Sequence, residues 1–176
     1  MKQNNLRILA VDPSGTGTSG IFFKSETQEQ FFQYWDQDWK KHQLFIFSLL
    51  EKYVPDMVLY ENSNYVRLRG KDMTSLFKLL GWLESLPNSL PDSLAVPVNQ
   101  VKGLRGKLLK GEQSIAGLEY RKGKGWHHNG KKISVHELDA YLVYWLWNDK
   151  QKNESTDKTM STTKSKAELK QKYYEQ

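Results

Sequence analysis

The chain has no cysteine among its 176 residues. Disulfides, thiolate zinc sites and cysteine nucleophiles are therefore excluded, and any metal must be held by oxygen or imidazole. Long apolar runs are missing as well. The longest, Ala140 to Trp147, is far too short to cross a bilayer. The first residues lack the apolar stretch of a secretory signal, so the expectation is a cytoplasmic protein with no membrane partner. No internal repeat is visible. The length fits one domain large enough to bury a core.

The formal net charge is +6, and it is unevenly spread. Between Gln100 and Lys132 stand nine basic residues against Glu112 and Glu119, so this segment carries +7 and the remaining chain −1. A cationic stretch on a near-neutral body suits a polyanion, of which nucleic acid is the commonest. A solvated, lysine-rich loop is the plain alternative.

Apolar patterning predicts an α/β chain in the order strand, strand, strand, helix, strand, helix, strand, helix. "LRILAVD" reads as a buried strand and "GIFF" as its antiparallel partner across a glycine-rich turn. "EQFFQYW" is a third strand. Lys40 to Tyr53 has helical spacing and stops at Pro55, "DMVLYE" is a fourth strand, and Asp72 to Leu86 is an amphipathic helix closed by Pro87. "LAVPVNQVK" reads as a fifth strand, placed by its prolines at an edge or at strand ends. The basic segment carries no assignable element. The last helix, "SVHELDAYLVYWLW", opens with Ser134 and Glu137 as a capping box and runs Leu138, Tyr141, Leu142 and Trp145 down one apolar stripe. Residues 1–148 are expected to form the domain. The polar stretch 149–176 reads as a flexible or loosely helical tail.

Asp12 and Glu61 each end an apolar strand, the edge at which sites form in α/β sheets. His136 and Asp139, three apart on the last helix, share one face. Brought to one sheet edge, three carboxylates and an imidazole make a site for Mg²⁺, with Mn²⁺ as a substitute. Each residue also has a plain reading. Asp12 before Pro13 can start a turn, Glu61 before Asn62 can be a loop acid, and His136 can be a helix-start residue. Asp139 is hardest to dismiss, since it precedes eight consecutive apolar residues.

The stretches "VDPSGTGTSG", "YENSNY", "DMTSLFKLLGWL", "PVNQVK" and "HELDAY" resemble the RuvC-like Holliday junction resolvases of the ribonuclease H-like fold, from Leu6 to about Trp147. The resemblance implies a mixed five-stranded sheet flanked by helices, and two catalytic metal ions held by Asp12, Glu61, His136 and Asp139. Lys102 matches a lysine near the family's active site. The glycines after Asp12 are expected to form a tight hairpin and admit a DNA backbone. Two departures stand out. Residues between Lys102 and His136, with "RKGKGWHHNGKK", do not follow the family's glycine-alanine-lysine pattern, and the aromatic expected three residues after Glu61 is Asn64, with Tyr65 next.

The implied activity is Mg²⁺-dependent hydrolysis of phosphodiesters in four-way DNA junctions by a homodimer, with the Asp72 to Leu86 helix as the candidate interface. Tyr65, Arg67, Arg69 and Lys71 after the fourth strand are assigned to DNA, with Lys102, Arg105 and Lys107 at the start of the basic segment. Arg121, Lys122, Lys124 and Trp126 are assigned to DNA as well, Trp126 as an exposed stacking residue, with packing on the domain as its plain alternative. Alternative readings are a nuclease of the same fold acting on flaps or RNA-DNA hybrids, and a DNA-binding module with no catalysis. An actin-like or sugar-kinase-like ATP binder would need a second domain of similar size.

Overall fold

The computed structural model describes residues 6–62, 72–86 and 92–153. Tyr65, Arg67, Arg69 and Lys71 lie outside these residues. The described residues form eight strands and four helices. They are β1 (Ile8–Asp12), β2 (Gly17–Lys24), β3 (Glu29–Asp36), α1 (Trp39–Tyr53), β4 (Met57–Asn62), α2 (Asp72–Glu84), β5 (Asp92–Pro97), α3 (Val98–Lys110), β6 (Leu118–Arg121), β7 (Gly125–His128) and β8 (Lys131–Ile133), followed by α4 at 135–153. The chain divides into two compact units, Met1–Tyr144 and Trp145–Gln176. Residues 149–153, expected in the tail, continue α4. No described helix is long and apolar enough to cross a membrane.

The main sheet has the order β3-β2-β1-β4-β5. The first three strands are antiparallel, while β1, β4 and β5 run parallel. The Ile8–Val11 run is buried along its whole length because both sheet faces are covered. On one face Leu9, Val11, Ile21, Phe23, Val58 and Tyr60 pack with Ile46, Leu49 and Leu50 of α1 and Leu79, Leu80 and Leu83 of α2. Side chains alternate along a strand, so Ile8, Ala10 and Asp12 take the opposite face, with Leu59 and Glu61 of β4 and Gly20 and Phe22 of β2. That face meets α4, where Phe22 lies edge-on to Tyr141 with ring centroids 5.1 Å apart.

The helix ends follow ordinary capping chemistry. Asp38 caps α1 by accepting from the Lys40 amide at 3.0 Å. The expected box at α4 forms, with the Ser134 amide donating to Glu137 at 2.7 Å and the Glu137 amide donating to Ser134 Oγ at 3.1 Å.

The region after β5 departs from expectation. "VNQVK" is not strand: β5 ends at Pro97, which caps α3, and α3 closes at Gly111 in the left-handed conformation. Val101 and Leu104 supply its buried seam, but Gly103 and Gly106 dilute the helical pattern. A separate antiparallel sheet, β6-β7-β8, follows. Its second turn, Asn129-Gly130, has positive φ at both residues, the two-residue turn that asparagine and glycine favour.

Two of the glycines after Asp12 admit protein backbone. Gly20 faces Asp12 across the β1–β2 ladder. A Cβ there would overlap the backbone carbonyl of His136, and one at Gly15 would overlap the backbone of Leu76 on α2. Gly17, at φ +97°, makes the turn itself. Replacing Gly20 by alanine is expected to push the start of α4 off the sheet and to cost about 1–3 kcal/mol. A thermal melt of Gly20→Ala that matches the parent contradicts this packing.

Candidate active site

Asp12 and Glu61 lie on neighbouring parallel strands, one step beyond the paired residues Val11 and Tyr60. Adjacent strands are about 4.8 Å apart, so two carboxylates facing the same way compete for the same space and charge. The start of α4, resting on Gly20, delivers His136 to this edge. His136 Nδ1 is 2.9 Å from Asp12 Oδ2. One turn on, Asp139 is buried and its Oδ2 accepts from Arg105 of α3 at 2.5 Å.

The electrostatics follow from burial. Desolvation raises Asp12, and the hydrogen bond from His136 opposes the rise. Glu61 is pushed up to about 8, first by desolvation and then by the charges of Asp12 and Asp139. Asp139 is pushed up to about 6, by desolvation and then by Asp12, with Arg105 opposing. The bond to Asp12 raises His136 against its own desolvation. Lys102 adds a positive field at both Asp12 and Glu61.

Two carboxylate oxygens, Glu61 Oε2 and Asp139 Oδ1, are buried with no hydrogen-bond partner. Burying an uncompensated acceptor is costly. Among the described residues, no three His, Asp or Glu groups converge on one point as a finished metal cluster. His136 and Arg105 are the basic side chains in contact with Asp12 and Asp139.

A hydrogen-bond chain pins the turn that follows Asp12. The Ser14 amide donates to Ser19 Oγ at 2.9 Å, and Ser19 Oγ is 2.9 Å from His42 Nδ1. His42 Nε2 is 2.9 Å from the Asp36 carbonyl oxygen. A carbonyl only accepts, so the imidazole proton sits on Nε2, and Nδ1 accepts from the serine hydroxyl. Ser19 and His42 are fully buried, which gives the pair a positioning role.

The structure thus gathers Asp12, Glu61, His136, Asp139 and Lys102 at one sheet edge, and adds Arg105 as the direct partner of Asp139. Lys107 lies exposed further along α3. Arg121, Lys122 and Lys124 belong to the β6–β7 hairpin. Trp126 is not the exposed ring that was expected. It is 5% exposed, packed against Tyr120. The Asp139 pairing could have been found from the i, i+3 spacing of Lys102 and Arg105 had α3 been recognised. The roles of Gly20, Ser19 and His42 depend on strand register and had no local signal.

No family model matches the chain, and no curated protein does. Solved structures do. Thermus thermophilus RuvC in complex with a Holliday junction substrate is 16% identical, covers 79% of this chain and 90% of its own, and superimposes with a TM-score of 0.53. The yeast mitochondrial Holliday junction resolvase Ydc2 is 13% identical over 79% of this chain and 76% of its own, with a TM-score of 0.46. The sheet order and the first overlap define an α/β, ribonuclease H-like fold.

The raised Glu61 has a measurable consequence in chelator. A carboxyl with a higher pKa folded than unfolded binds more protons in the native state, so stability falls as pH rises from about 4.5 towards 8. Glu61→Gln is expected to melt with the parent at pH 5 and several degrees above it at pH 9, where each kcal/mol is worth roughly 2–4 °C. Parallel melting curves across that range would show that Glu61 is not desolvated.

Proposed function

We propose that the protein is a Mg²⁺-dependent endonuclease that hydrolyses phosphodiesters in branched DNA, with the four-way junction as substrate. The observation that carries this reading is the group of three desolvated carboxylates at one sheet edge of a ribonuclease H-like fold, two of them with an orphaned oxygen.

The donor set fits a hard divalent ion. Asp12, Glu61, Asp139 and His136 supply oxygen and imidazole with no competing thiolate. Mg²⁺ or Mn²⁺ held there would supply a water nucleophile at neutral pH and neutralise charge on the transferring phosphate. The chain's own groups do the rest. Asp12 is placed by β1 and by His136, Glu61 by β4, and Asp139 by α4 and Arg105. Lys102, exposed at the start of α3, sets a cation where a phosphate approaches these acids. Arg105, bonded to Asp139, holds that carboxylate ready and must give way for it to bind an ion fully.

A four-way junction has two-fold symmetry, and a C2 dimer presents two such sites to matching strands. The surface favoured for pairing is α2. Phe77 on it is 41% exposed, and at Gly81, one turn on, a Cβ would meet nothing within 4 Å among the described residues outside its own helix backbone. A mid-helix glycine costs about 1 kcal/mol relative to alanine. A second copy packed closely here would use that open space.

The test is cleavage by the full chain of labelled four-way junction, flap, linear duplex and RNA-DNA hybrid in Mg²⁺, Mn²⁺ or chelator. Paired nicks in the junction that need the metal are expected. Asp12→Asn, Glu61→Gln and Asp139→Asn should each lose at least about a hundredfold in rate, the scale of removing one transition-state-stabilising group. Junction binding should survive in all three, because phosphate contacts supply most of the affinity. Preferred cutting of flap or hybrid would reassign the substrate, and binding without metal-dependent turnover would make the chain a non-catalytic binder.

A further inference from the structure

The β6-β7-β8 sheet plays no part in the site described above, although it carries a marked cluster of positive charge. Arg121, Lys122, Lys124, Lys131 and Lys132 stand on it against the single acid Glu119. Arg121 pairs with Glu119. Among the described residues, Lys122, Lys124, Lys131 and Lys132 form no ion pair. The sheet is firmly attached to the body of the domain. His128 is buried, with ring centroids 4.7 Å from Tyr141 and 5.2 Å from Phe31 of β3, and Ile133 and Trp126 are buried beside it.

The β6–β7 tip is built to hold a fixed shape. The Lys124 amide donates to the Arg121 carbonyl at 2.9 Å, and Gly123 and Gly125 take positive φ of 76° and 87°. The turn therefore needs glycine at both positions, and Lys122 and Lys124 lie exposed on either side of Gly123. Directly opposite Trp126 in the ladder is Tyr120. It is 48% exposed, and its ring lies 5.2 Å from the buried indole, tilted by 58°. An aromatic ring held from behind by a buried partner, open to solvent and flanked by cations, has the make-up of a stacking platform beside phosphate contacts.

We propose that this sheet is a second DNA contact outside the active site. Lys122 and Lys124 engage phosphates, and Tyr120 stacks on an unpaired base of the kind a branch point exposes. The inference rests on the branched-DNA reading and deepens it. The stacking role passes from Trp126, which is inside, to the ring that Trp126 supports.

The test measures binding in chelator, where hydrolysis is not read. The full chain is titrated with a four-way junction, a linear duplex and a single-stranded oligo(dT) across a salt series. Lys122→Ala with Lys124→Ala is expected to weaken all three and to lower the salt slope on duplex by about 2. Tyr120→Leu keeps an apolar cover on Trp126. It is expected to weaken junction and oligo(dT) by about tenfold with little change on duplex, and Tyr120→Trp restores binding. Parental affinity and salt slope in the lysine pair would overturn the contact. Equal loss on duplex in Tyr120→Leu, or a lowered melting midpoint with no rescue by tryptophan, would overturn the stacking role. A parent that binds but does not cleave removes the nuclease reading and leaves this contact standing. Metal-dependent cleavage with no effect of these variants does the reverse.

Discussion

The close approach of α4 to the sheet at Gly20 is the constraint on which the candidate site depends. Gly20 pairs with Asp12 across β1 and β2, and the His136 backbone occupies the space in which a side chain would stand. That contact sets the depth of the helix against the sheet. It brings His136 to Asp12 at 2.9 Å and fixes where Asp139, one turn later, meets Arg105. The loop on the other side of Asp12 is held as firmly, through Gly15 against the α2 backbone and Ser14 on the Ser19–His42 pair. Packing and hydrogen bonds hold these backbones rigidly, so the carboxylates cannot relieve their mutual repulsion by drifting apart.

The electrostatic cost appears directly in the acids. Desolvation and like charge lift Glu61 to about 8 and Asp139 to about 6, and each keeps an oxygen without a partner. Arg105 and the hydrogen bond with His136 offset part of this cost. A site assembled this way carries an electrostatic cost of the kind that marks functional carboxylate clusters. The same logic separates the two basic regions. Around Lys102 and Arg105 the charge answers the chain's own acids, whereas on the β6–β7 hairpin it is nearly uncompensated and faces outward.

Much of the fold was legible because it rests on local pattern. The buried run of β1, the apolar and aromatic runs of β2 and β3, the spacing of α1 and the Ser134–Glu137 box each carry their signal within a few residues, and each formed close to where expected. The reading failed between Val98 and Ile133. Gly103 and Gly106 interrupt the apolar period of α3, whose seam is only Val101 and Leu104. In the next segment the Asn129-Gly130 turn was the available hairpin signal. Trp126 was misplaced for a related reason. A tryptophan among lysines looks exposed in sequence, but strand alternation and the body of the domain bury it.

Sequence alone determined the identities of the charged and polar groups, and hence the chemistry they can perform: acids at two strand ends, a histidine and an aspartate three apart on a helix, no thiol, and a basic segment. It also determined the elements that bear them, because helical and strand periods are properties of neighbouring residues. Only the tertiary structure decided which of these groups meet. Asp12 and His136 are 124 positions apart, Arg105 and Asp139 are 34 apart, and no local pattern encodes either pair. Their meeting depends on strand register, on the missing side chain at Gly20 and on the face that α3 presents. Those arise when the layers pack together, since contact between distant segments is a property of the packed chain as a whole.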